Sequence, residues 1–144
     1  MIYDIKNRDD AHLATHEATA PPTAIISITD VGSAENWFYS QDWIVDILQM
    51  QFNDVGEGHI FCITEAQAER IAQFAVKNYG KVERFLVHCE YGRCRSAGVA
   101  AAISKHFEGH SNGIFGNSLY FPNPACYKLV LAKLCKGTVS LFSA

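Results

Sequence analysis

The chain has 144 residues, of which 49% are hydrophobic and 19% are charged, and its formal net charge is −3. This length suits one domain with one hydrophobic core, and the apolar content excludes a disordered segment. The 12 basic residues form no Lys/Arg run, so we expect no nucleic-acid partner. No apolar stretch is long enough to cross a bilayer, and the N-terminus lacks the apolar core of a secretory signal.

The cysteine content indicates the redox compartment. Five cysteines in a chain without a signal do not suggest a disulfide framework. We therefore expect a single domain over residues 1–144 that is located in the cytoplasm with its thiols reduced. Under those conditions an individual cysteine can be chemically active.

The first half of the chain alternates between strand and helix patterns. Residues 23–30 are rich in β-branched and apolar residues at both odd and even positions, which is typical of a strand buried on both faces. The elements predicted in this half are a strand at 1–5, a polar helix from about Asp9 to Glu17, a strand at 23–30 and a strand at 43–52.

The second half contains the clearest helix pattern, from Glu65 to Tyr79. Thr64 and Gln67 have the spacing of a capping box, and apolar residues recur on one face of this helix. The further elements predicted are a strand at 84–89, a buried helix at 96–107, and a last helix with Asn123 as N-cap, Pro124 at its first position and Gly137 after its end. This alternation predicts an α/β fold with a mostly parallel central sheet of four to five strands flanked by helices.

The segment VHCEYGRCRSAGVAAAI places a strand, a short loop and a helix N-terminus in succession. Backbone N–H groups converge at such a junction and, with the helix dipole, form an anion site. Cys89 ends the strand, and the same field lowers the pKa of its thiol and favours a thiolate. The planar guanidinium of Arg95 can bind two oxygens of one phosphate. The loop can therefore hold a phosphoryl group while Cys89 attacks its phosphorus.

The residues around Cys89 have supporting roles in this interpretation. Ser96 can donate its hydroxyl to the sulfur and help the thiolate to leave in a second step. His88 is expected to bond to nearby backbone and fix the loop rather than to act as a base. Gly92 permits a positive φ or a close approach to the anion. The predicted phosphate-binding loop consists of Glu90, Tyr91, Gly92, Arg93, Cys94 and Arg95.

The leaving oxygen needs a proton, which a carboxyl group near the loop can supply. This group is expected on a loop that follows a strand, at the same edge of the sheet as Cys89. Asp54 fits best, since it follows the strand at 43–52 and is close to Gly56 and Gly58. Asp30, at the end of the preceding strand, is the alternative general acid.

The run HCEYGRCRS at residues 88–96 resembles the His-Cys-x-x-Gly-x-x-Arg-Ser signature loop of the cysteine-dependent protein tyrosine and dual-specificity phosphatases. The resemblance implies hydrolysis of a phosphomonoester through a cysteinyl-phosphate intermediate, with an upstream Asp as acid and no metal or other cofactor. The expected substrate is a phosphorylated protein, on phosphotyrosine or phosphoserine/threonine, or a small phosphomonoester. Tyr91 and Ala97 depart from the usual pattern, and Tyr91 leaves the pocket width open.

Other interpretations remain open at this stage. Cys94 is either a small loop filler or the partner of Cys89 in a reversible disulfide. A thiol redox enzyme such as an arsenate reductase would use Cys89 and Cys94, and a weakly active phospho-binding module would use the anion site alone. We expect no metal site, because two histidine pairs with ligand spacing lack an evident third ligand: His12 with His16, and His106 with His110.

Overall fold

The computed structural model describes the backbone of residues 1–143 and the side chains of residues 1–136. Within these residues the chain folds into a four-stranded parallel sheet with helices packed against it. Its elements are β1 (Ile2–Lys6), α1 (Arg8–Ala14), β2 (Thr23–Thr29), β3 (Ile44–Gln51), α2 (Glu65–Asn78), β4 (Arg84–His88), α3 (Arg95–Glu108) and α4 (Pro124–Ser143). The predicted α/β fold with a parallel sheet of four to five strands is confirmed.

The strand order is β1-β4-β2-β3, so β4 and β2 are the central pair. All three pairings are parallel, and every residue of β2 is buried, as its apolar pattern on both faces predicts. The carboxyl ends of the strands therefore lie at one edge of the sheet. This edge carries Asp30 after β2, the segment from Phe52 onward after β3, and Cys89 after β4, which brings three distant parts of the chain together.

The helices differ from the prediction at two ends. α1 ends at Ala14 rather than near Glu17, because the hydroxyl and amide of Thr15 both donate to the His12 carbonyl and close the last turn. α4 continues through Gly137 to Ser143, so the predicted stop at Gly137 is wrong. A glycine inside a helix costs only about 1 kcal/mol and blocks no hydrogen bond, so it does not by itself end a helix.

Two other helix predictions are confirmed. The capping box of α2 is formed, with the Thr64 hydroxyl accepting from the Gln67 amide and the Gln67 side chain accepting from the Thr64 amide. α3 is central, as its apolar sequence predicts, since its residues 95–104 are all buried. Gly98 lets α4 approach α3 closely, because a Cβ at this position would lie 2.7 Å from the Asn123 carbonyl oxygen. This packing places the start of α4 beside the loop that precedes α3.

No helix in the described part of the chain combines the length and the apolar character needed to span a membrane.

Candidate active site

The loop at residues 89–94 connects β4 to α3 and rests on the corner between β1 and α1. The Arg8 amide donates to the Glu90 carbonyl at 3.3 Å, and the Arg8 guanidinium pairs with the Glu90 carboxylate at 3.0 Å. Gly92 has a φ of +69°, and a Cβ there would lie 2.5 Å from the backbone of Lys6 and Asn7. Only glycine fits both this conformation and this contact. The corner between β1 and α1 thus fixes the loop conformation, together with the sequence of the loop itself.

Cys89 is buried, with 2% of its surface exposed, and its sulfur lies 3.2 Å from the Ser96 hydroxyl oxygen. Burial acts to raise the pKa of the thiol. Hydrogen bonds from the Ser96 hydroxyl and from the amides of Ser96 and Gly92, together with the charge of Arg95, outweigh burial and lower the pKa below its usual value. The site therefore favours a thiolate at Cys89 although water is largely excluded from it.

The Arg95 guanidinium is 3% exposed and is held by groups from the segments that follow β2 and β3. Its Nη1 donates to the Asp30 carboxylate at 2.7 Å and to the Phe52 carbonyl at 2.7 Å. Its Nε is the one buried side-chain nitrogen or oxygen in the described residues that has no hydrogen-bond partner. An unsatisfied buried donor is costly, so this nitrogen marks a place where an anionic ligand would gain binding energy.

The two candidate acids have different surroundings. Asp54 lies on the exposed segment after β3, where its Oδ1 accepts from the Asn123 side-chain amide at 2.8 Å and its carboxylate is close enough to the Cys94 thiol to raise the pKa of that thiol. This places Asp54 beside the loop. Asp30 instead forms the ion pair with Arg95. The structure thus brings both carboxylates to the site, one beside the loop backbone and one on the guanidinium.

His88 is fully buried beneath the loop. Its Nε2 lies 2.6 Å from the Ser27 hydroxyl and 3.3 Å from the Asn36 amide nitrogen, and its Nδ1 lies 3.3 Å from the Cys89 carbonyl. Burial lowers the pKa of His88 to about 4, so the ring is neutral at pH 7. The pattern fits a ring in which Nδ1–H donates to Cys89 and Nε2 accepts from the other two groups. The expected backbone contact is present, and two side-chain contacts accompany it.

Cys94 lies in the same loop, but the pKa of its thiol is shifted in the opposite direction from that of Cys89. Burial, followed by the charge and hydrogen bond of Asp54, raises the pKa of its thiol to about 11. Its thiol is therefore protonated at neutral pH. Neither Cys89 nor Cys94 is in a disulfide.

Three residues at the site were not identified from the sequence as functional candidates. Ser27 and Asn36 contact His88. The Asn123 amide contacts Asp54, whereas the sequence predicts Asn123 only as a helix cap. No local pattern marks these contacts, since each joins residues more than fifty positions apart. The backbone amide of Asn123 also donates to the Cys94 carbonyl at 2.9 Å.

The rim of the site carries exposed aromatic side chains. Tyr91 is 83% exposed, so its ring points out of the loop rather than filling it. Phe121 is 66% exposed, and its amide donates to the Arg93 carbonyl at 2.9 Å, which places this residue next to the loop. In the described side chains, no group of three or more His, Cys, Asp or Glu residues is arranged to hold a metal ion.

Several solved structures resemble this chain over most of its length. Human DUSP28 has a TM-score of 0.61 at 13% identity, with 96% of this chain and 94% of that chain covered. PTPMT1 has a TM-score of 0.58 at 17% identity, with 99% and 96% covered. A human tyrosine phosphatase-like serine/threonine/tyrosine-interacting protein has a TM-score of 0.54 at 17% identity, with 85% and 79% covered. The chain therefore has the fold of the dual-specificity phosphatases, as the resemblance of residues 88–96 predicts. No protein-family model matches the sequence, and no curated protein matches it.

Proposed function

We propose that the protein is a cysteine-dependent phosphatase that hydrolyses a phosphomonoester through a cysteinyl-phosphate intermediate. The observation that carries this proposal is a buried Cys89 whose pKa is lowered by converging donors, next to an Arg95 with an unsatisfied Nε. A thiolate and an anion-binding donor at one point are what attack on a bound phosphoryl group requires. The phosphatase names of the structural neighbours support the same class of reaction.

The reaction proceeds in two displacements. In the first, the Cys89 sulfur bonds to phosphorus, the ester P–O bond breaks, and Asp54 gives its proton to the leaving oxygen. The Arg95 guanidinium and the loop amides hold the phosphoryl oxygens, over which charge is spread in the transition state. In the second, a water oxygen bonds to phosphorus while Asp54 takes its proton. The S–P bond breaks, and Ser96 stabilises the departing thiolate.

Asp54 fits the role of the acid better than Asp30. The Asp30 carboxylate accepts a hydrogen bond from Arg95 at 2.7 Å. Asp30 could donate a proton only if it were protonated first, which would break this ion pair. Asp30 is therefore better suited to orient the guanidinium. The Asp54 carboxylate instead accepts from the neutral Asn123 amide, and it borders the loop from the exposed side.

The proposed substrate is a phosphorylated protein side chain, phosphotyrosine or phosphoserine/threonine, or a small phosphomonoester. Arg8 is paired with Glu90, and Asp30 and Asp54 are both at the site, so few free cations remain to attract a substrate with several phosphates. Exposed Tyr91 and Phe121 offer aromatic contacts beside the scissile group instead. The free cysteines of the chain support a reducing location such as the cytoplasm.

The two alternative functions have less support. A redox enzyme would need Cys94 as a resolving thiolate, but the raised pKa of Cys94, about 11, keeps its thiol protonated. A phospho-binding module has some support, because one structural neighbour with this fold is named as an interacting protein. However, binding alone does not require the thiol of lowered pKa at Cys89.

The test is hydrolysis of para-nitrophenyl phosphate with EDTA present and the thiols reduced. Cys89→Ser is expected to abolish turnover, because a hydroxyl is not ionised at this site. Cys135→Ser, which changes an exposed cysteine on α4, is the matched control and is expected to keep wild-type turnover. Turnover that persists in Cys89→Ser, or a wild-type protein that is inactive with a reduced thiol, would overturn the proposal.

A further inference from the structure

We infer that Asn123 is a positioning residue that holds the general acid Asp54 against the signature loop; the inference rests on the proposed function. Asn123 precedes α4 and is nearly buried, with 5% of its surface exposed. Its side chain reaches across to the segment that follows β3, which is distant in sequence. The residue therefore links the acid, the loop and a helix.

Each polar group of Asn123 has a partner. The side-chain nitrogen donates to the Asp54 carboxylate at 2.8 Å and to the Val55 carbonyl at 3.2 Å. The side-chain oxygen accepts from the Cys126 amide at 3.1 Å and caps α4. The backbone amide donates to the Cys94 carbonyl at 2.9 Å, and the backbone carbonyl accepts from the Tyr127 amide at 3.1 Å. The backbone and the side-chain oxygen of Asn123 are thus fixed to the loop and to α4, while its side-chain nitrogen holds Asp54.

The acid needs such an anchor because its side chain is exposed. Asp54 and residues 56–60 are all exposed to solvent. Asn123 is immobilised by close packing of its backbone against α3, where Gly98 leaves room for its carbonyl. A rigid amide can therefore set the position of this exposed carboxylate, and correct placement of a catalytic group is a large part of its effect on the rate.

The amide group is specifically suited to this double task. A helix cap needs a side-chain acceptor, which Ser, Asp and Asn all provide. Contact with the Asp54 carboxylate needs a donor of the same reach, which only Asn provides among these three. Substitution by Asp would also place two like charges together and push the acid away from the loop. Capping and acid positioning can therefore be separated by mutation.

The experiment compares two aryl phosphates, para-nitrophenyl phosphate with a good leaving group and phenyl phosphate with a poor one. The poor leaving group depends on the acid, and general acid catalysis contributes about a hundredfold or more to such steps. We expect Asn123→Ser and Asn123→Asp to lower kcat on phenyl phosphate by on the order of tenfold, with a much smaller loss on para-nitrophenyl phosphate. Asp54→Ala should show the same selective loss, but a larger one.

The matched control is Asn78→Ser. The Asn78 amide donates to the Asp46 carboxylate at 3.1 Å, but Asp46 lies near the start of β3, far from its carboxyl end. This variant loses a similar contact and is expected to keep the wild-type ratio of the two rates even if its stability falls. If Asn123→Ser fails to fold, Asn123→Asp keeps the preferred cap and carries the test.

The outcomes separate the inference from the proposed function. A wild-type ratio in both Asn123 variants, with a selective loss in Asp54→Ala, would overturn the role of Asn123 alone. No selective loss in Asp54→Ala would overturn the assignment of the acid and the inference with it. Loss of all turnover only in Cys89→Ser would leave the phosphatase proposal intact in either case.

Discussion

One of the groups that lower the pKa of the Cys89 thiol is a hydroxyl that can be removed, that of Ser96. Ser96→Ala deletes a hydrogen bond to the sulfur that acts to lower the pKa of Cys89. We therefore expect the pH dependence of Cys89 alkylation by iodoacetamide to move to higher pH, with slower turnover because the thiolate is a poorer leaving group. Ser104→Ala removes another buried hydroxyl from the same helix, one that bonds to the His110 carbonyl, and is expected to leave the alkylation profile unchanged. Equal profiles in Ser96→Ala and the wild type would contradict this account.

His88 links the stability of the fold to pH. Burial lowers the pKa of His88 from 6.5 to about 4 in the folded state, so the unfolded chain binds a proton there that the folded chain does not. The stabilising effect of the neutral ring is complete above the unfolded pKa of 6.5 and is lost as the pH falls toward 4. Within this window the slope from one such proton is about 1.4 kcal/mol per pH unit.

The measurement is the free energy of unfolding by urea at a series of pH values, for the wild type and for His88→Gln. Other groups titrate in the same range, but their contribution is common to both proteins. We expect the wild type to lose more stability than the variant as the pH falls. Parallel curves would show that His88 is not a buried neutral ring.

The signature loop depends on an element that is remote in sequence, the corner between β1 and α1. Gly92→Ala would place a residue with a Cβ in a positive-φ conformation. This Cβ would lie 2.5 Å from the Lys6 and Asn7 backbone. We expect a loss of about 1–3 kcal/mol in stability, together with a large loss of kcat/KM, because the amide of residue 92 would move away from the sulfur. Urea unfolding and para-nitrophenyl phosphate hydrolysis measure the two effects.

Gly80→Ala is the matched control for this substitution. Gly80 follows α2, has no positive φ, and has open space where its Cβ would lie. It should change stability by no more than about 0.5 kcal/mol and leave activity unchanged. If Gly92→Ala behaves like Gly80→Ala, the corner of β1 and α1 does not constrain the loop.

The elements that the sequence predicts best are those with local signals. The capping box of α2 and the apolar run of β2 each require only neighbouring residues, so both are placed within one residue of the structure. The end of α1 and the course of α4 past Gly137 were predicted less well. A glycine or proline shows where a helix is weakened, whereas its actual end depends on bonds such as those of Thr15.

The same distinction applies to the site as a whole. Residues 88–96 form a strand, a loop and a helix start that are contiguous in sequence, so their arrangement could be predicted directly. The contacts of Arg95 with Asp30 and of Asn123 with Asp54 depend on the order of the strands and on the packing of α4 against α3. The sequence predicts that Asp30 and Asp54 lie at the same edge as Cys89, but it does not specify the order of the strands along that edge, and so it does not specify which side chains meet there.

Binding of a phosphate ion should stabilise the whole molecule, because the ion binds the folded site and not the unfolded chain. At a concentration a hundredfold above Kd the gain is about 2.7 kcal/mol, which raises Tm. Arg95→Lys is expected to lose most of this shift, since a single ammonium cannot replace the planar group whose Nε is unsatisfied. Thermal unfolding with and without inorganic phosphate measures the shift within each protein. An equal shift in both would contradict the proposed phosphate site.

The proposed cysteinyl-phosphate intermediate can be detected directly. The wild-type protein is mixed with para-nitrophenyl phosphate, quenched in acid within the first turnover, digested and analysed by mass spectrometry. We expect one added phosphoryl group on the peptide that contains Cys89, on its sulfur, and none in Cys89→Ser. Turnover without any phosphorylated Cys89, or a phosphoryl group on another residue, would contradict it.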